Sequence, residues 1–132
     1  ADVAATEAAT MCQRGVPGVG PEMEPSCRRL ARTMAERADT WSARLTGLSI
    51  AWSWAADEPE RSRLVAERDR VTASSLECNA AKLALIEGLN RDAATREAAR
   101  RIQAAAIEDA LTQGEPAVCA RLVERAREAK FL

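Results

Sequence analysis

Four cysteines, Cys12, Cys27, Cys78 and Cys119, are the residues of this chain whose type is most open to chemistry. A thiolate can ligate zinc, act as a nucleophile, cycle through a redox pair or be locked into a disulfide. The surrounding residues decide among these. Zinc sites draw on close pairs such as Cys-x2-Cys, commonly completed by histidine. Here the nearest two cysteines are 15 residues apart and the chain has no histidine. The same absence removes the usual base for a catalytic thiol, and no Cys-x-x-Cys is present. An even set of thiols without such partners predicts disulfides and a compartment that does not reduce them. The competing reading is four reduced, buried cysteines in a cytosolic protein.

Three pairings are possible. Between Cys12 and Cys27 lie Gly15, Pro17, Gly18, Gly20, Pro21 and Pro25, a stretch that cannot be regular helix and can turn back on itself. Cys12–Cys27 with Cys78–Cys119 is therefore the expected pairing. Loop closure gives about 3 kcal/mol for the first bond and about 4 kcal/mol for the second.

Other chemistry is thin. Arginines group at Arg28, Arg29, Arg32 and Arg37 and again at Arg91, Arg96, Arg100 and Arg101, but Glu36 and Glu97 lie at pairing distance. Solvated helix faces account for them. Glu22, Glu24, Glu58 and Glu60 sit at loop or helix starts, where negative charge favours the helix dipole. With neither histidine nor tyrosine, no catalytic, cofactor-binding or metal-binding residue is assigned. An enzyme would have to work through Arg, Glu, Lys82, Gln103 and Gln113. In that chemistry, though not in residue order, it would resemble the all-helical chorismate mutases, whose secreted forms can carry a disulfide.

The elements that position the cysteines are helical throughout. A short helix is expected over 2–13, capped by Asp2, and a loop over 15–25. From Pro25 the residues Cys27, Ala31, Met34, Ala38, Trp41, Leu45, Leu48, Trp52 and Ala55 alternate by four and three. That seam predicts one helix of roughly thirty residues, about 45 Å long, ended by Asp57-Glu58-Pro59. A second long helix follows near 59–89, its second half apolar on several sides (Leu76, Cys78, Leu83, Leu85, Ile86, Leu89) and so expected to be the more buried half. A third runs near 92–113 from an Asp92 cap, with Ala98, Ile102, Ala105 and Ala106 inward and a Glu97–Arg101 pair. Gly114 and Pro116 lead into the last, with Cys119, Leu122, Ala126 and Ala129 on its inner stripe. Short loops make neighbours antiparallel, which brings Cys119 near the level of Cys78.

The expected fold is an all-α, disulfide-stapled antiparallel bundle: four main helices, two of them long, and a short N-terminal one. Residues 1–132 read as a single domain, with 1–25 an arm tied on by the first disulfide. About a fifth of the residues are alanine, so the core should be thin and closely packed. The spacing of Cys78 and Cys119 is similar to that of the second disulfide in plant invertase and pectin methylesterase inhibitors. Those are also disulfide-closed four-helix bundles, and the likeness is one of architecture.

Charge is balanced, 19 basic against 20 acidic residues, which argues against nucleic acid as partner. No apolar run is long enough to span a membrane. The opening Ala-Asp-Val-Ala-Ala has neither charged nor apolar signal regions, so either a signal peptide has been removed or the sequence has been trimmed; the even cysteine count favours a mature form after signal-peptide removal. Seventeen arginines against two lysines suit a GC-rich bacterial source.

One surface feature stands out. Trp54 lies about 200° around the helix from Trp52 and shares its side with Ala43, Gly47 and Ile50. Either another helix of the bundle packs there, with Gly47 permitting close approach, or this side is a partner site or dimer seam anchored by Trp54. The leading function is accordingly a non-enzymatic periplasmic or secreted module that binds another protein, as inhibitor, immunity protein or envelope-complex subunit. A structural component forming a homodimer is the second reading, and a histidine-free enzyme the third.

Overall fold

The structure, a computed structural model, describes residues 2–132, with side chains from Val3 onward. It is all-α: α1 (Asp2–Cys12), a single 3-10 turn at Pro21–Met23, α2 (Glu24–Arg37), α3 (Trp41–Ser53), α4 (Glu58–Leu89), α5 (Ala93–Ala110) and α6 (Glu115–Glu128). No strand occurs among the described residues. Asp2, expected as a cap, is the first residue of α1, and its side chain lies outside the described residues.

The expected thirty-residue helix is two helices. α2 stops at Ala38, whose ψ of 146° is extended, and α3 starts from Thr40, whose side chain accepts a hydrogen bond from the Ala43 N–H at 3.1 Å. A threonine cap satisfies a donor that a helix start leaves unpaired, so Asp39-Thr40 stops one helix and starts the next. The chain then turns back, and α3 packs along α2. Gly47 sits at a close approach: a Cβ there would lie 2.7 Å from the Ala35 nitrogen and 2.8 Å from the Ala31 carbonyl oxygen.

The chain divides into two compact units, Ala1–Val71 and Thr72–Leu132, so that α4 contributes its first part to one and its second part to the other. In the first unit, Cys12, Cys27, Ala31, Ile50 and Trp54 form one buried cluster, and Leu48, Ala55, Leu64 and Val71 a second. The Cys12–Cys27 disulfide joins the end of α1 to the first turn of α2, with Cα atoms 5.3 Å apart. Gly15 and Gly18 of the intervening loop have φ of +95° and +90°, a region that L side chains disfavour. α4 is capped by Asp57, which accepts from the Glu60 N–H at 2.9 Å. Glu60 in turn accepts from the Ala56 N–H at 2.8 Å and from Arg28 at 2.9 Å.

In the second unit the buried residues are mostly small: Cys78, Ala81 and Leu85 on α4, Ala99 and Ile102 on α5, Cys119, Leu122, Val123 and Ala126 on α6. Alanine and cysteine supply five of these nine buried positions. Cys78–Cys119 ties α4 to α6 with Cα atoms 5.4 Å apart. Asp109 of α5 holds Arg125 at 2.7 Å and Arg121 at 3.4 Å, and Arg127 pairs with Glu77. Asp92 caps α5 through the Thr95 N–H at 3.0 Å, and Glu97 pairs with Arg101 at 3.2 Å. Lys130, with φ of 62°, closes α6, and the Phe131 N–H donates to the Ala126 carbonyl at 2.8 Å.

Candidate interaction surface

Ala43, Gly47, Ile50 and Trp54 lie at the i, i+4, i+7 and i+11 positions of α3 and its cap, and all four are buried. Trp54 keeps 3% of its surface. Its indole N–H donates to the Cys12 carbonyl at 2.7 Å, its own carbonyl accepts from Arg28, and the Arg14 guanidinium sits 5.6 Å from its ring centroid. Buried indoles usually find such an acceptor. The chain's own α1 and α2 thus cover this side of α3, and Trp54 is an interior residue of the hairpin rather than a surface anchor. Trp52, placed on the core seam by the single-helix reading, is instead 48% exposed. It borders a shallow cleft with Leu45, Leu64 and Val65.

Apolar surface is also left open on α4. Leu76, Leu83 and Ile86 are 63%, 62% and 51% exposed, contrary to the expected burial of this half of the helix. At about 100° per residue, Leu76 and Leu83 fall within about 20° of one another and Ile86 within about 60° of Leu83. Cys78 and Leu85, each two residues further on, lie about 200° round and are buried. The half-helix is apolar on several sides because it carries two apolar faces. One meets α5 and α6; the other is open among the described residues. The signal was in the sequence: sorting the same six apolar residues by helical angle separates the two sets. α5 adds Ile107 and Leu111, 69% and 80% exposed and one turn apart.

Perturbed ionisation follows the helix ends. Glu60 is held below the ordinary carboxylate value, first by the Ala56 N–H and then by Arg28. Arg28 is pushed up by its hydrogen bonds to Glu24 and Glu60. Asp92 is held down by the Thr95 N–H and hydroxyl. All three act as caps or ties between helices. Lys82 and Gln113 are exposed and Gln103 is half-buried. Among the described residues no three His, Cys, Asp or Glu side chains are placed to hold a metal ion, and no helix is long and apolar enough to cross a membrane. Compared with protein-family models, curated proteins and solved structures, the chain matches none of them.

Proposed function

We propose that this chain is a non-enzymatic helical module that works outside the reducing cytosol, in a periplasm or secreted, by binding another protein. The observation that carries this reading is the open row Leu76, Leu83 and Ile86 on α4. A helix face with large aliphatic residues at i, i+7 and i+10 is the pattern of helices that pack against something. Covering what remains exposed of these three side chains would contribute roughly 4 kcal/mol in total. Two disulfides support the compartment, since such bonds persist where thiols are not kept reduced. Inhibitor, immunity protein and envelope-complex subunit are the roles that fit a small stapled surface of this kind.

The test compares oxidised wild-type protein as bait in envelope extract with a Leu76→Ser, Leu83→Ser, Ile86→Ser variant. An Ile107→Ser, Leu111→Ser variant serves as control. The expected result is a partner retained by the wild type and the control and lost by the row variant. Capture that ignores the row, or no capture at all, refutes the reading. The same row would also suit a second copy of this chain. Sedimentation velocity over a concentration range separates that case: a wild-type dimer that the row variant fails to form is a structural homodimer.

A further inference from the structure

A cleft of about 330 Å³ in the first unit runs between α2, α3 and the start of α4. Its floor is apolar, with Leu48, Ala51 and Leu64. Its rims carry charge in an ordered way. α2 presents Arg28, Arg32 and Glu36, one turn apart; α4 presents Glu60, Arg63 and Glu67. The first rung is closed by the 2.9 Å Arg28–Glu60 pair. The next charged residues along the two rims are Arg32 and Arg63, and after them come Glu36 and Glu67.

A rim network that served only to seal the cleft would put opposite charges across it at every rung, as the first rung does. Here the second rung is doubly cationic and the third doubly anionic. Neither Arg32 nor Arg63 has an ion pair with a described residue, and neither does Glu36. Arg32 and Glu36, and likewise Arg63 and Glu67, are i,i+4 neighbours on one helix, yet neither pair closes. The order Arg before Glu is the weaker one for such pairs. Glu67 leans on Arg70 instead, and Arg63 lends a longer-range pull to Glu60. Like charges that approach one another repel, and a group of opposite sign between them relieves the repulsion.

We infer that this cleft binds a small zwitterion, with its carboxylate between Arg32 and Arg63, its ammonium between Glu36 and Glu67, and a short methylene spacer over Leu48, Ala51 and Leu64. On both helices the two rungs are four residues apart, a rise of about 6 Å. That separation matches a short ω-amino acid. Guanidinium forks are suited to bind a carboxylate in bidentate fashion.

The probes are 5-aminopentanoate, pentanoate and pentylamine, titrated into the oxidised protein while backbone amide shifts are followed by NMR. The expected result is saturable movement of amides in 31–36 and 63–67 with 5-aminopentanoate, and binding of the two singly charged probes weaker by about tenfold or more. Arg32→Gln with Arg63→Gln should abolish the response while leaving the helical circular dichroism unchanged. Pentanoate binding as tightly as the zwitterion would overturn the inference. So would the absence of saturable shifts up to the solubility of the probe, or a response that survives the double substitution.

Discussion

Gly47→Ala tests the α2–α3 hairpin most directly. On helix propensity alone the substitution should help, since alanine is better than glycine inside a helix by about 1 kcal/mol. Packing opposes it. The new Cβ would stand 2.7 Å from the Ala35 nitrogen, 2.7 Å from the Met34 Cβ and 2.8 Å from the Ala31 oxygen. Ordinary contact begins at 3.4 Å, so α2 would have to retreat by 3.4 less 2.7, about 0.7 Å. Two of the three atoms are backbone and cannot swing aside. Ala31 also belongs to the cluster with Ile50 and Trp54, which the retreat would loosen. Overpacking of this kind costs about 1–3 kcal/mol. Set against the propensity gain, and with a rigid neighbour favouring the upper end, the net loss is about 1–2 kcal/mol. For a unit of this size that is a fall in melting temperature of roughly 5–15 °C. Tryptophan fluorescence is the right probe, because Trp41, Trp52 and Trp54 all lie in the first unit. Gly88→Ala is the control. Its Cβ would meet Phe131 Cε1 at 2.5 Å, the far end of a side chain next to the last residue, which can move away. Far-UV circular dichroism of that variant should show unchanged or slightly raised stability. If Gly47→Ala raises the melting temperature as Gly88→Ala does, the close α2–α3 packing is wrong.

Two further outcomes follow from the same structure. Replacing Cys12 and Cys27 together by alanine should cost about 3 kcal/mol, and Cys78 with Cys119 about 4 kcal/mol, in urea titrations of the oxidised protein; equal stability with and without either bond would contradict the pairing. Glu60→Gln should destabilise the first unit by about 1–2 kcal/mol at neutral pH, by weakening the Arg28 and Ala56 ties. The folded-state pKa of Glu60 lies below its ordinary value of 4.5, so its stabilisation is present above about that pH and is lost as pH falls through the folded value. The difference between wild type and variant, measured by urea titration at stepped pH, should therefore shrink on acidification below pH 4.5. A difference independent of pH would show that the carboxylate charge is not what matters.

Much of the second unit was legible because each of its elements carries its own punctuation. Asp92 caps α5, Gly114 and Pro116 begin α6, and Cys119, Leu122 and Ala126 form a buried stripe, which ends before Ala129, exposed at the C-cap of α6. The disulfides were legible by elimination, since no histidine or close cysteine competed for the thiols. What could not be read was which of two apolar faces on α4 would find a neighbour inside the chain. Periodicity reports that a face is apolar; burial depends on what packs there, and that is a tertiary fact.

The hairpin shows the same limit in a sharper form. A four-three alternation of apolar residues is produced equally by one straight helix and by two helices that each keep the period and are joined without loss of phase. Ala38 and Trp41 are both apolar and three apart, so the seam continues across the break without losing phase. The local signal was Asp39-Thr40, two residues that favour a cap over a helix interior because their side chains compete for backbone donors. Once the chain reverses there, the face of α3 that meets α2 is set by the turn and not by the seam. Ala43, Gly47, Ile50 and Trp54 become the inner face because the small residues let the two backbones approach, as the 2.7 Å spacing at Gly47 requires. Trp52, two residues from Trp54, is carried to the outside by that choice. A single cap at Thr40 therefore decides which of two neighbouring tryptophans is core and which is surface.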